Sequence, residues 1–188
     1  MIIIVGLGAV GSHVLYGLRN QKRIRVIDFD RVQSKNVLAQ FHPRTVTGKN
    51  KAVAARLSMH GIFGGVYVDA IPSKLAADNI DKLFEDATLV IDAVDNAATR
   101  LLMQTHVRAH NTPCLHIGTS ADAVLARIVW DAIFVPDVEI EGAPTCEDGE
   151  RLPFFQMVGA HAALNAQWFL RTGERRSFMI SEHAMVRI

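Results

Sequence analysis

Glycines at positions 6, 8 and 11, an aspartate at 28, lysines at 49 and 51 and the pair Asp95-Asn96 are the residues whose types and spacing could do chemistry in this sequence. The three glycines form a G-x-G-x-x-G turn directly behind the apolar run Ile2-Ile3-Ile4-Val5 and ahead of a periodic segment containing Leu15 and Leu18. In a strand, turn, helix reading each glycine has a mechanical role. Gly6 permits the sharp turn, Gly8 lets the backbone approach a phosphate, and Gly11 lets the helix pack closely on the strand. The free N–H groups at the helix start then face an anion. Asp28 follows roughly 20 residues on, at the end of a second apolar strand, where such folds place an acid on ribose hydroxyls. Taken alone, this first unit also suits a nicotinamide cofactor and an oxidoreductase.

Composition bounds the molecule that must position these residues. The 188 residues are 49% hydrophobic and 21% charged, ample for one globular domain spanning residues 1–188. A formal net charge of +1 gives no global field for nucleic acid or an anionic membrane. No run approaches the roughly 20 apolar residues of a membrane span, and the chain opens on a strand rather than a basic leader, so a cytoplasmic location is expected. Two cysteines, Cys114 and Cys146, can build neither a disulfide framework nor a four-cysteine zinc site.

The elements follow from periodicity. Residues 23–28 give the second strand, and strand, helix, strand at this spacing is a parallel βαβ unit with a right-handed crossover. Residues 30–47 form a long polar stretch without apolar period, a length that in compact domains is usually functional. Gly48-Lys49-Asn50-Lys51 opens a helix through Leu57, the glycines at 61, 64 and 65 mark a turn, and residues 66–71 form a strand. A helix at 76–84 precedes the apolar strand 88–94, whose carboxyl end carries Asp92, Asp95 and Asn96. A helix at 97–110, a strand at 113–117, a weakly alternating stretch at 123–135 and a closing helix at 154–170, capped by Gly173, complete the order. The fold class is therefore α/β, a Rossmann-like doubly wound, mostly parallel sheet with an antiparallel extension. Ligands of such sheets collect outside the carboxyl ends of the strands, which puts Asp95 on the same rim as the glycine turn.

Four ordered motifs together resemble the ubiquitin-activating enzyme superfamily, whose simplest bacterial members are the adenylyltransferases of molybdopterin and thiamine biosynthesis. They are Asp28-Phe29-Asp30-Arg31-Val32, Asn36, Gly48-Lys49-Asn50-Lys51-Ala52, and Asp92-Ala93-Val94-Asp95-Asn96 running to Arg100. The resemblance extends from Ile2 to about Gly173. It implies that ATP and Mg²⁺ activate the C-terminal glycine of a small ubiquitin-like or sulfur-carrier protein as an acyl-adenylate, in a homodimer. It assigns phosphate to Gly6, Gly8 and Gly11, ribose to Asp28, phosphate or ribose to Asn36, and further nucleotide contacts to Asp30 and Asn96. Lys51 becomes the catalytic cation on phosphate oxygens and Asp95 the Mg²⁺ ligand. Arg100 is expected to support the rim. Local readings stand beside these roles: the lysines could be solvated helix-start residues, and Asp95-Asn96 an ordinary N-cap sequence.

The sequence also departs from the family pattern. Where the family carries an arginine after the loop asparagine, the matching position is Ala39, and, with residues 2–5 read as the first strand, the N-terminal helix that contributes a second arginine across the dimer is expected to be lacking. A non-catalytic nucleotide-binding or scaffold protein is therefore an alternative, and Arg44, in the same loop, is a candidate replacement. Cys146 falls where relatives have zinc cysteines or a thioester cysteine, but Glu147, Asp148 and Glu150 disfavour a thiolate. Cys114 reads as core. His106 and His110 share a helix face at i, i+4, yet helix and following strand should point them and Cys114 and His116 in different directions. The arginine cluster 171–176 reads as a solvated helix end.

Overall fold

The computed structural model describes residues 1–136 and 149–188. Its strands are β1 (Ile2–Val5), β2 (Ile24–Ile27), β3 (Val68–Ile71), β4 (Leu89–Asp92), β5 (Cys114–Thr119), β6 (Leu125–Trp130), β7 (Phe178–Ser181) and β8 (Met185–Arg187). Its helices are α1 (Ala9–Gly17), α2 (Lys51–Phe63), α3 (Ile80–Phe84), α4 (Ala97–Ala109) and α5 (Leu152–Thr172). Ile2 to Val5 are all buried, and because strand side chains alternate, such a run demands cover on both faces. Ile2 and Ile4 face a core shared with α1, α2 and α5, while Ile3 and Val5 face a second core under α3 and α4.

The strands form one sheet of order β3-β2-β1-β4-β5-β6-β7-β8. Pairing is parallel from β3 through β5 and antiparallel from β5 to β8, the expected α/β class. β1 lies between β2 and β4, so the chain leaves β1 and β4 toward helices on opposite faces. That divergence opens a crevice at the carboxyl ends of these two strands, between the glycine turn and residues 93–96. Among the described residues no helix is long and apolar enough to cross a membrane.

Three expectations need correction. The helix at 154–170 does not close the chain: β7 and β8 follow it and extend the antiparallel edge. They are short, and every residue of β8 is exposed, so neither carries the alternating apolar signal that betrays a strand. α2 runs through Gly61 to Phe63 and stops at Gly64, whose φ of 68° is the left-handed conformation that ends helices. The arginine cluster is not simply solvated. Arg175 lies over the rings of Trp130 and Phe169, and Arg176 sits 3.9 Å from the Trp168 ring centre while donating to Glu174 at 2.6 Å. That bond, with the Trp168 indole N–H, draws the Glu174 carboxyl down to about 2. Cys114 is buried, as expected of a core residue, and burial pushes its thiol well above the usual range. Cys146 lies outside the described residues.

Candidate functional site

The glycine turn is shaped by contact with the loop behind β4. Gly6 has φ +87°, and a Cβ there would stand 2.6 Å from the Ala93 carbonyl oxygen. A Cβ on Gly11 would stand 1.9 Å from the Gly6 carbonyl oxygen, so only glycine lets α1 begin this close to β1. Gly8 is different: a Cβ there meets nothing within 4 Å, and no side chain caps the start of α1. Internal packing explains Gly6 and Gly11, but it does not explain Gly8. An open backbone at a helix N-terminus is what an approaching anion requires.

Asp28 anchors the turn from beneath. Its two carboxylate oxygens accept from the backbone N–H of Leu7 at 2.7 Å and of Asp30 at 2.8 Å. Burial raises its pKa, against the opposing influence of the Lys51 ammonium and the two amide donors. Lys51 donates to Asp30 at 3.1 Å, with a side chain only 11% exposed. It is therefore not a freely solvated helix-start lysine. Asn50 holds this arrangement: its side-chain oxygen accepts from Val53 N–H as the N-cap of α2, while its amide donates to the carbonyls of Asp28 and Asp30. An N-cap of this kind is worth about 1 kcal/mol. Asn50 had only the signature of a cap in the sequence, an asparagine just before a helical run, and its second role of pinning β2 to α2 is visible only in three dimensions.

The long loop lies over α1. Asn36 is buried, ends the 3-10 turn Ser34–Asn36, and passes its carbonyl to the N–H groups of Ala39 and Gln40. The Ala39 carbonyl then contacts His13 Nε2 at 3.2 Å, and Phe41 N–H donates to Ser12 Oγ at 2.9 Å. Ala39 is fully buried, so the position at which the family resemblance implies an arginine is here part of the core. His42 donates from Nε2 to the Leu7 carbonyl at 3.1 Å. Burial, opposed by that bond, lowers its pKa to about 4. An unfolded histidine titrates near 6.5, so as pH falls the unfolded chain takes up a proton that the folded one refuses. The stability from neutral His42 is complete above about pH 6.5 and falls by about 3 kcal/mol as pH reaches about 4. His42→Gln keeps a donor for Leu7, and its urea-unfolding free energy is expected to drop less than the parent's between about pH 7 and 4.5.

Behind β4 the chain carries Asp95 and Asn96. Asp95 is exposed and has no side-chain partner among the described residues. The Asn96 side-chain oxygen accepts from Thr99 N–H at 2.9 Å, the N-cap geometry that the local reading anticipated. Arg100, as expected, braces the rim: its guanidinium donates to the carbonyls of Val94 and Ile117. Beneath it Asp92 and His116, which the sequence offered separately, are joined with Asp131. Asp92 accepts from Val94 N–H and pairs at 2.7 Å with Nδ1 of the fully buried His116, whose Nε2 lies 3.2 Å from Asp131. Burial works to raise the Asp131 carboxyl, but hydrogen bonds from Arg108 and Gln104 hold it below its ordinary value. The loop bearing Asp95 is thus tied through Asp92 and Arg100 to β5. These partners are 15 to 24 residues apart in sequence, and no local pattern signals them.

The rim therefore combines an open glycine turn, the Asp28-Asp30-Lys51 set and the Asp95 loop at one strand crossover. The ThiF family model matches residues 1–130. The chain belongs to the ThiF family. The sulfur carrier protein adenylyltransferase of Thermus thermophilus is 31% identical over 105 residues, which is 54% of this chain and 39% of that protein. The adenylyltransferase and sulfurtransferase UBA4 of Lodderomyces elongisporus is 28% identical over 175 residues, 87% of this chain and 38% of its own length. The chain thus spans less than half the length of these curated relatives. The structure of E. coli MccB matches 100% of this ThiF-family chain with a TM-score of 0.78 at 16% identity, covering 60% of MccB. E. coli MccB with ATP matches at 0.77 and 15% identity, likewise a likeness of fold.

Proposed function

We propose that this chain binds ATP with Mg²⁺ on the rim and adenylylates the C-terminal glycine of a small ubiquitin-like or sulfur-carrier protein, in the cytoplasm. One observation carries the reading: Lys51 and Asp28 are held in a single hydrogen-bonded set beneath a turn whose Gly8 is open to a ligand. A relative named a sulfur carrier protein adenylyltransferase and another named a probable adenylyltransferase/sulfurtransferase support it. In the reaction a carboxylate oxygen of the carrier attacks the α-phosphorus, forming the acyl–phosphate bond, and the bond to the β-phosphate breaks to release pyrophosphate.

The residues suit these steps. The first amides of α1 donate to phosphate oxygens. Asp28, already oriented by Leu7 and Asp30, accepts from ribose hydroxyls through its remaining lone pairs. Lys51 offers a compact charge where negative charge moves onto pyrophosphate. Asn36, buried in the loop over α1, would offer its side-chain amide to phosphate or ribose, and Asp30 keeps Lys51 in place. Asn96 contributes its amide nitrogen, since its oxygen caps α4. Asp95, an exposed carboxylate without a protein partner among the described residues, fits a hard, oxygen-preferring cation, which would neutralise phosphate charge when bound.

The test is ATP–pyrophosphate exchange in the presence of a carrier ending in Gly-Gly. Exchange is the expected result. Arg44 is exposed in the 3-10 turn Arg44–Val46 and stands in for the arginine absent at Ala39. Arg44→Ala is expected to slow exchange by roughly tenfold or more, and an unchanged rate in an active preparation removes Arg44 from the mechanism. A homodimer belongs to the same proposal and is tested by light scattering. The burial of Ala39 favours a second reading, a nucleotide-binding scaffold without chemistry. Tight ATP binding with no exchange under any carrier identifies that case.

A further inference from the structure

We propose that Asp81 on α3 with His106 and His110 on α4 forms a binding site for a divalent transition metal such as Zn²⁺, separate from the nucleotide rim. Each residue offers one ligand atom, and the three atoms lie within 4.8 Å of one another. His106 Nδ1 and Asp81 Oδ1 are 3.2 Å apart. This is close to the edge of a tetrahedron with metal–ligand bonds of about 2.0 to 2.2 Å. The two imidazoles stack at 4.2 Å between ring centres, which keeps both rings together on one face of α4.

Three features prepare the site. His110 Nδ1 donates to the His106 carbonyl at 2.9 Å, which fixes the tautomer and leaves Nε2 with the lone pair a metal needs. His106 is held in place edge-on against Phe84, with ring centres 5.3 Å apart. The His106 side chain is only 9% exposed, so its Nδ1 is held at Asp81 rather than free in solvent. Without metal, His106 donates to Asp81 and the contact is an ordinary polar pair. Cys114 and His116 take no part, being buried in β5.

Two nitrogens and one oxygen select Zn²⁺, Ni²⁺ or Cu²⁺ over Mg²⁺, the reverse of the preference expected at Asp95. The site lies in the last turns of α4, at the opposite end from Asn96, and so cannot serve the nucleotide directly. Its effect would be mechanical. α3 has only five residues, and a shared ion would lock it to α4, leaving a fourth coordination position open to water.

Calorimetric titration of the metal-free full chain with Zn²⁺ tests the proposal. One ion per chain is expected to bind, excess Mg²⁺ should not displace it, and Zn²⁺ should raise Tm. The exposed substitutions Asp81→Asn and His110→Gln leave the Phe84 packing intact and are expected to weaken binding about tenfold or more. His110→Gln should also abolish the rise in Tm, whereas Asp95→Asn should bind Zn²⁺ as the parent does. No stoichiometric uptake by the parent, undiminished affinity in either α3–α4 variant, or loss of binding in Asp95→Asn overturns the assignment.

Discussion

Lys51→Ala is expected to slow ATP–pyrophosphate exchange by about 10² to 10³, the usual cost of removing one group that stabilises developing charge. The reason is geometric. An isolated lysine at a helix start is ordinarily solvated, and its removal costs nearly nothing. Here the side chain is 11% exposed and tied at 3.1 Å to Asp30, whose backbone N–H binds Asp28, which in turn holds Leu7 of the glycine turn. The ammonium is therefore held in a fixed place near Asp28 and the glycine turn that Asp28 braces, with little entropy left to lose if charge develops there. Asp95→Ala should cost a similar factor, with a raised Mg²⁺ requirement. Steady-state exchange at varied ATP and Mg²⁺ separates the two: the lysine variant should lose rate at saturation, and the aspartate variant should be partly recovered by excess Mg²⁺.

The second large effect separates architecture from ligand binding within one motif. Gly11→Ala would drive a Cβ to 1.9 Å from the Gly6 carbonyl oxygen, against backbone that cannot yield without moving α1. A loss of about 3 kcal/mol or more in unfolding free energy is expected. Gly8→Ala should leave stability within about 0.5 kcal/mol, because its Cβ points into open space and its φ of −73° suits any residue. Yet that methyl group occupies the ground where phosphate oxygens would sit, and ATP affinity should fall by roughly tenfold or more. Urea unfolding and nucleotide titration of the two variants give opposite patterns. If Gly8→Ala binds ATP as tightly as the parent, phosphate does not lie on this turn.

Much of this arrangement was legible because its signals are local. The apolar run before Gly6, the glycine spacing, Asp28 at the end of the next strand and the Asp95-Asn96 pair each lie within a few residues of the element that positions them. The opposite holds for what was missed. β7 and β8 have no alternating pattern because the outer strand is exposed throughout. The Asp92-His116-Asp131 chain joins β4, β5 and the turn after β6, and no spacing in sequence announces it. Asp81 could not be matched to His106 and His110 without knowing that α3 and α4 share one face of the sheet. The expectation of a solvated arginine cluster failed for a related reason: Trp130, distant in sequence, supplies a ring beneath Arg175.

The most direct test of the nucleotide assignment is calorimetric titration of the full chain with ATP–Mg²⁺ and, separately, with NAD⁺. Saturable binding of one ATP per chain, weakened at least about tenfold in Lys51→Ala and with no heat from NAD⁺, is the predicted result. Binding of NAD⁺ in preference to ATP, or an Lys51→Ala variant that holds ATP as tightly as the parent, would contradict it.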